Sequence, residues 1–160
     1  EANRDEYFCR ELCKEYGIKV GIENMFQREL LRGQISFDTC NQIPEFIRYV
    51  DTLNSEYMVA CLDIGHVGLP TRDDEAWDFI RALGHDRLQA LHVHDNDGKL
   101  DYHQLPYYGT IDWSAFGKAL KDINFNGVFS FETAPTSNLP SPIYEDTFAL
   151  MVKTAKHIIG

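Results

Sequence analysis

The sequence predicts an α/β fold in which four parallel strands alternate with about five helices. Four short apolar runs, at 18–23, 57–63, 88–92 and 128–132, have the length and composition of buried strands. Segments with apolar residues at helical spacing separate them, and strands joined by helices form parallel sheets through right-handed crossovers. The run at 57–63 is apolar almost throughout, as expected for a strand that is covered on both faces.

The helical segments carry recognisable end signals. The pattern predicts helices over 3–16, over about 43–53 after a capping box at 39–42, from a cap at Thr71 to Gly84, from a cap at Asp112 to about 123, and over about 143–159. The polar connection after the first strand has room for a turn of helix at 28–31. We expect the inner face of the last helix to comprise Phe148, Met151, Val152, Ala155 and Ile159.

The bulk composition sets limits on the class of protein. The 160 residues, 44% of them hydrophobic, suit a single domain that spans 1–160. Lys and Arg number 15 against 25 Asp and Glu, a formal net charge of −10, which argues against a nucleic-acid surface. No signal peptide or long apolar stretch is present, so we expect a soluble, cytoplasmic protein that has no membrane partner.

Each predicted strand ends on a residue that can ligate a metal. Glu23, Asp63, His92 and Glu132 stand at the carboxyl ends of the four strands, one per βα unit. Parallel strands present those ends at one edge of the sheet, where α/β proteins form their sites. Three carboxylates and one imidazole suit a divalent ion such as Mn²⁺, Mg²⁺, Co²⁺ or Zn²⁺. A lone acid at a strand end is usually a cap or a solvated group, but four in succession predict a metal centre.

Further polar residues follow the same strands. His66, Asp101 and His103 can hold a second metal, or His66 can donate a hydrogen bond to a substrate oxygen while the other two lie in a solvated loop. His94 repeats the face of His92 but lies farther out, so we place it, with Asp95, behind the ligands as a supporting residue.

These residues resemble the xylose isomerase-like TIM-barrel superfamily, which includes sugar phosphate isomerases and epimerases and the type IV apurinic endonucleases. The resemblance covers essentially the whole chain, and its five motifs in order are specific for the superfamily but not for a substrate. They are IENM with Glu23, CLDIGH with Asp63 and His66, LHVHDN with His92, DYHQLPYYGTIDW with Asp101 and His103, and FSFET with Glu132.

The resemblance implies a chemistry for the cluster. It implies that the four strand-end residues bind one divalent metal and that no nucleotide cofactor is needed. In the epimerase branch the residues matching Glu23 and Glu132 also act as acid and base on an enediolate, and the residue matching His66 contacts the sugar. In the endonuclease branch the residues matching His66, Asp101 and His103 hold additional zinc.

The chain departs from the family in its length. A TIM barrel has eight βα units and needs roughly 250 residues, whereas this chain supplies four strands that match the last four. The N-terminal half is absent from these residues. An open half-barrel would expose two sheet edges and an apolar face, so we predict a homodimer or completion by another half-barrel.

Three functions are open on this reading. The first is metal-dependent isomerisation or epimerisation of a sugar, sugar phosphate or polyol ketone, with a small-molecule sugar as the partner. The second is phosphodiester hydrolysis at a multi-zinc site of the apurinic endonuclease type. The third is a non-catalytic half-barrel fragment.

Overall fold

The computed structural model describes residues 4–29, 31, 33–70, 74–133 and 139–160, with side chains from residue 9 onward. The helices are α1 (Arg4–Tyr16), α2 (Ile43–Leu53), α3 (Ile64–Val67), α4 (Ala76–Arg87), α5 (Trp113–Asp122) and α6 (Ser141–Ile159). The strands are β1 (Val20–Glu23), β2 (Phe26–Arg28), β3 (Ile35–Phe37), β4 (Met58–Asp63), β5 (Leu88–Val93) and β6 (Val128–Phe131). None of the described helices is long and apolar enough to cross a bilayer.

Four strands form one parallel sheet in the order β1–β4–β5–β6, which confirms the predicted α/β architecture. Each neighbour in the sheet is the next long strand in the sequence, as in a barrel wall. All six residues of β4 are buried. The strands at the two edges are more open, with Val20 at 40% and Val128 at 62% exposure.

The core lies between the sheet and the helices that connect its strands. Phe46 on α2, Phe79 on α4 and Phe116 on α5 are all fully buried. They pack with Leu62 of β4 and Leu91 of β5 in one apolar cluster. Burial of each such side chain contributes roughly 1.5–3 kcal/mol to the free energy of folding. This packing holds the helices on the sheet and so keeps the ends of the strands in place.

The connection after β1 is a hairpin rather than the predicted turn of helix. Strands β2 and β3 pair antiparallel, with Phe26 opposite Phe37. Gly33 sits in the turn with a φ of 66°, a conformation that glycine adopts without strain. Apolar and polar residues alternate on each side of this glycine, which is a strand signal, but each run is only three residues long. The prediction of a helical turn at 28–31 was wrong for that reason.

One predicted helix start also differs from the structure. The capping box at 39–42 does not form: helix α2 begins at Ile43 without a side-chain cap, and the Glu45 carboxylate instead accepts a hydrogen bond from the Cys40 N–H at 3.1 Å. Helix α4 is interrupted at Gly84, where the sequence predicts its end, because a φ of 70° is not helical; a short further turn extends the range to Arg87. Asp112 caps α5 as predicted, while the predicted cap at Thr71 lies outside the described residues.

The last helix is less buried than its pattern predicts. Met151 is buried, but Phe148, Val152 and Ile159 are 56%, 41% and 42% exposed. The expectation that these three are buried is therefore wrong for the isolated chain, because α6 packs mainly against α5 and its other apolar side has no cover among the described elements. An exposed apolar helix face beside an open sheet edge is typical of a surface that another protein element covers.

Candidate functional site

The four strand-end residues meet at one edge of the sheet. One ligand atom from each of Glu23, Asp63, His92 and Glu132 lies within 4.8 Å of every other. The Nδ1 atom of His92 is 3.1 Å from Glu132 Oε2, 3.4 Å from Glu23 Oε1 and 3.9 Å from Asp63 Oδ2. The parallel register brings these groups together, because it pairs Asp63 with His92 and Glu23 with the residue two before Asp63.

This donor set fits a divalent cation. The Nδ1 atom of His92 is buried and makes no hydrogen bond to any described residue, although three carboxylates surround it. Metal–ligand bonds of about 2.0–2.2 Å separate neighbouring ligand atoms by roughly 3–3.6 Å, close to the distances found here. Three carboxylates this near to one another also repel unless positive charge lies between them.

Asp63 is the most rigidly held of the four. Its side chain is fully buried, and Oδ1 accepts hydrogen bonds from the backbone N–H of His66 and the Nε2 of His94, both at 3.0 Å. Its backbone N–H and carbonyl are both bonded to the Asn24 side chain, at 2.7 and 2.9 Å. Oδ2, which also lies 3.2 Å from His94, faces His92 and the cluster. Burial raises the pKa of this carboxyl, but the hydrogen bond from His94 and the nearby imidazoles leave it below its usual value.

Asn24 is a site residue that the sequence reasoning missed. It is fully buried and its side chain ties the end of β1 to the end of β4. Its carbonyl also faces His66 Nδ1 at 2.9 Å. An amide directly after a strand-end carboxylate is the signal that could have identified it, since a buried Asn must find hydrogen-bond partners.

His94 takes a supporting position behind Asp63. Its ring is fully buried and rests on Gly65, where an added Cβ would lie 1.9 Å from His94 Cε1. Only glycine at this position lets the α3 backbone approach the ring. The position of the histidine therefore depends on the absence of a side chain at Gly65.

We expect Gly65→Ala to lower the free energy of unfolding by about 1–3 kcal/mol, because the methyl group overpacks a closed site. The displaced His94 would also lose its contact with Asp63. Denaturant unfolding measures the first effect, and metal affinity measures the second. Gly68→Ala is the matched control, since a Cβ there meets nothing within 4 Å; equal losses from both variants would contradict the packing argument.

A second polar group lies beside the cluster and contains His66, Asp101 and His103. The Nε2 atoms of the two histidines approach the same oxygen, Asp101 Oδ2, at 3.6 Å for His66 and 2.9 Å for His103. Their Nδ1 atoms lie 2.9 Å from the Asn24 carbonyl and 2.7 Å from the Glu132 carbonyl, respectively. A carbonyl only accepts, so each Nδ1 must carry the proton, as metal-binding histidines commonly do.

The charges of this second group are coupled. Burial lowers the pKa of His66, but the adjacent Asp101 and Asp63 carboxylates outweigh it and raise that pKa to about 9. For His103, burial is likewise outweighed by the Glu132 carbonyl and by Asp101, which raise its pKa. The pKa of Asp101 is lowered, because the imidazoles led by His66 outweigh its burial. The raised pKa values of His66 and His103 and the lowered pKa of Asp101 all favour positive charge beside an ionised Asp101.

His94 and His103 do not jointly suit a metal as they stand. Their rings are stacked, with centroids 4.1 Å apart and planes only 19° apart. The lone pairs of an imidazole lie in its ring plane, so two stacked rings direct them nearly parallel rather than toward one ion. Ligand atoms of these two residues and Asp101 do come within 4.8 Å of one another. The stacked arrangement nevertheless indicates that His94 packs against His103 rather than sharing a metal with it.

The hairpin supplies a wall of the site that the sequence did not predict. The ring of Phe26 on β2 meets the ring of His66 edge-on, with centroids 4.9 Å apart.

Asp95, which the sequence places behind the ligands, accepts hydrogen bonds from the loop that follows β5 and from Trp113. Neither contact has a local sequence signal, because each joins segments far apart in the chain.

Comparison with known proteins agrees with this architecture. The chain matches the family described as the xylose isomerase-like TIM barrel over residues 7–153. It is 32% identical over 126 residues to the D-psicose 3-epimerase of Enterocloster bolteae, a match that covers 77% of this chain and 37% of that enzyme. It is 30% identical over 122 residues to an uncharacterized protein of Methanocaldococcus jannaschii, covering 76% of this chain and 39% of that protein.

Solved structures show the same fold. A D-psicose 3-epimerase from Clostridium cellulolyticum H10, solved with D-tagatose, has a TM-score of 0.70 at 18% identity and covers 98% of this chain and 55% of its own. The IolI protein, solved with a bound zinc atom, has a TM-score of 0.65 at 21% identity and covers 93% of this chain and 51% of its own.

The chain spans about half the length of these solved neighbours and less of the curated relatives. This coverage confirms that its four strands correspond to part of a TIM barrel. The match at residues 7–153 includes every strand of the sheet and all four residues of the cluster. With this sheet, this arrangement of strand ends and these matches, the chain belongs to the xylose isomerase-like TIM-barrel family.

Proposed function

We propose that this chain carries the metal-binding half of a sugar isomerase or epimerase that acts on a ketose through an enediolate. The observation that carries the proposal is the convergence of Glu23, Asp63, His92 and Glu132 at the carboxyl edge of the sheet. The similarity to a D-psicose 3-epimerase at 32% identity supports the reaction class. The partner would be a small sugar, bound beside these strand ends.

The cluster divides into rigid and exposed members. Asp63 is fully buried and held by hydrogen bonds to His66, His94 and Asn24, and the side chain of His92 is 31% exposed. The side chains of Glu23 and Glu132 are 28% and 46% exposed. Asp63 and His92 would hold a divalent ion, with the two glutamates completing the site. Such an ion supplies positive charge that acidifies the C–H next to a ketose carbonyl and stabilises the enediolate.

The two glutamates are the candidates for proton transfer. They lie on β1 and just after β6, the two edge strands of the sheet, so they approach the space above His92 from opposite sides. A base on each side can remove a proton from one face of a carbon and return it to the other. Glu132 is the more exposed, which suits a carboxylate that binds loosely and retains its basicity.

His66 would orient the sugar. It is buried, its Nδ1 lies 2.9 Å from the Asn24 carbonyl, and its Nε2 lies 3.6 Å from Asp101 Oδ2. The neighbouring carboxylates raise the pKa of His66 to about 9, which favours a ring that can donate a hydrogen bond from Nε2 to a substrate oxygen.

The test is exchange of solvent hydrogen into a ketose by protein loaded with Mn²⁺ or Co²⁺. We expect deuterium at the carbon next to the carbonyl, detected by mass spectrometry, in at least one member of a panel of ketoses and ketose phosphates. Fully loaded protein that exchanges no hydrogen with any of them would contradict the proposal. Absence of metal binding together with absence of turnover would favour a non-catalytic half-barrel.

A second function is supported by the group around Asp101. His66 and His103 both approach one oxygen of Asp101, with both Nδ1 atoms on backbone carbonyls, although the ligand atoms of these three residues do not all lie within 4.8 Å of one another. Two or more zinc ions would suit phosphodiester hydrolysis. The net charge of −10 argues against a DNA substrate. Nicking of an abasic-site duplex by zinc-loaded protein, with zinc content measured, separates this function from epimerisation.

Association with another half-barrel belongs to the same proposal. The exposed apolar residues of α6, with the open edges at Val20 and Val128, suit a second copy of the chain or another half-barrel. We expect light scattering to report a dimer for the isolated chain. A stable, compact monomer would contradict this part of the proposal.

A further inference from the structure

We propose that Asp95 is a positioning residue that sets the loop carrying Asp101 and His103 over the metal cluster. The sequence placed Asp95 behind the metal ligands. Its contacts instead lie along the loop between β5 and α5, at the point where that loop turns back toward the site. Only the consequence for turnover rests on the proposed function, because the loop geometry can be measured without it.

Four donors converge on this one carboxylate. Asp95 is fully buried, and Oδ1 accepts from the backbone N–H groups of Asn96 at 2.9 Å and Ile111 at 3.2 Å. Oδ2 accepts from the N–H of Tyr107 and from Nε1 of Trp113, both at 3.0 Å. An ionised carboxylate is acceptor-only, so it satisfies four donors that no amide of the same shape can satisfy.

The backbone of Asp95 extends the same hold to the loop. It forms an isolated antiparallel bridge with Gln104, with N–H to carbonyl distances of 2.8 and 2.9 Å in the two directions. Gln104 directly follows His103, which has a φ of 49°, and Tyr107 has a φ of 76°. Left-handed conformations at non-glycine residues are strained and persist only where the surroundings impose them. Asp95 bonds to Tyr107 itself and to the neighbour of His103.

The close passage of Gly109 is a second, independent sign of this arrangement. A Cβ on Gly109 would lie 2.3 Å from Asp95 Oδ1 and 2.1 Å from the Asn96 carbonyl. The loop is therefore drawn against Asp95 more tightly than any side chain allows. Gly109 and the carboxylate form one closed unit.

This unit determines where the second polar group lies. Asp101 and His103 stand between the residues that Asp95 binds, and they reach His66 and the Glu132 carbonyl from there. Without the anchor, the strain at His103 would be released, and its Nδ1 would leave the Glu132 carbonyl. The four-residue metal cluster, held by the sheet, would remain.

The test compares Asp95→Asn with Asp97→Asn. Asp97 lies on the same loop, but its carboxylate binds only the N–H groups of Lys99 and Leu100 in a local exposed turn. In metal-free, ¹⁵N-labelled protein, long-range ¹H–¹⁵N spectra report the ring nitrogens of His103, assigned by their loss in His103→Gln. We expect a protonated, fixed Nδ1 in the wild type and in Asp97→Asn, and averaged ring nitrogens in Asp95→Asn.

Cobalt titration completes the experiment. We expect Asp95→Asn to bind Co²⁺ at the four-residue cluster within about twofold of wild type, as for independent sites. The rate at which solvent hydrogen exchanges into a ketose should fall by about 10- to 100-fold, as when a residue that orients the groups of a site is removed. A wild-type-like His103 signal in Asp95→Asn would overturn the proposal.

A second variant keeps the test decisive if Asp95→Asn does not fold. Gly109→Ala retains the carboxylate but forces the loop away from it, so the same averaging of the His103 signal is expected. An unchanged His103 signal in Gly109→Ala would also overturn the proposal. If the wild type exchanges no solvent hydrogen, the proposed function fails, while the His103 signal still decides the role of Asp95.

Discussion

His92→Ala is expected to weaken binding of Co²⁺ or Mn²⁺ by about 100-fold or more. Loss of a residue that only supports a metal ligand typically weakens binding by about 10- to 100-fold, and loss of a ligand should cost at least as much. His92 supplies the only nitrogen of the four-residue cluster, and its Nδ1 lies 3.1–3.9 Å from all three carboxylates. Its side chain is 31% exposed, so the substitution should leave the fold intact. Isothermal titration or the visible spectrum of bound cobalt measures the affinity.

His85→Ala is the matched control for this prediction. His85 is exposed, and its Nδ1 bonds to the Asn124 carbonyl at 2.9 Å, away from the strand ends that carry the cluster. We expect it to bind metal as the wild type does. An affinity for His92→Ala equal to that of His85→Ala would show that the metal binds elsewhere.

Glu132→Gln is expected to reduce hydrogen exchange by about 10²- to 10⁴-fold, the range for removal of a general acid–base group. Its side chain is the most exposed of the four at 46%, and an amide of the same size cannot accept a proton from carbon. Because Gln retains an oxygen donor, its effect on metal affinity should be smaller than that of His92→Ala. Exchange rates at saturating metal isolate the proton-transfer effect.

Glu56→Gln, in the exposed turn before β4 and at the end of that strand away from the cluster, is the control for charge alone. It should leave both exchange and metal affinity unchanged. If Glu132→Gln keeps its exchange rate when fully loaded with metal, proton transfer belongs to another group, and Glu23 is then the next candidate.

The parts of the site that could be predicted from sequence are those that depend on single strands. A buried run that ends on an acid or a histidine is a local signal, and parallel pairing brings all such ends to one edge. Glu23, Asp63, His92 and Glu132 meet for this reason, and the structure brings them together as the sequence predicted. The helix cap at Asp112 is equally local.

The parts that could not be predicted depend on contacts between distant segments. The stack of His94 on His103 and the three hydrogen bonds that Tyr107, Ile111 and Trp113 donate to Asp95 require the loop after β5 to fold back on itself. The hairpin that places Phe26 against His66 has strands of only three residues, too short for a clear pattern. The exposure of Phe148 on α6 depends on which other element covers it, which no local pattern specifies.

We infer that the four strand ends form one metal centre. Anomalous diffraction from crystals of the protein loaded with Co²⁺ tests it most directly. We predict one strong peak about 2.0–2.3 Å from Glu23, Asp63, His92 and Glu132, with Nδ1 as the ligand atom of His92. Strong peaks elsewhere in the protein, with none among these four residues, would contradict the account.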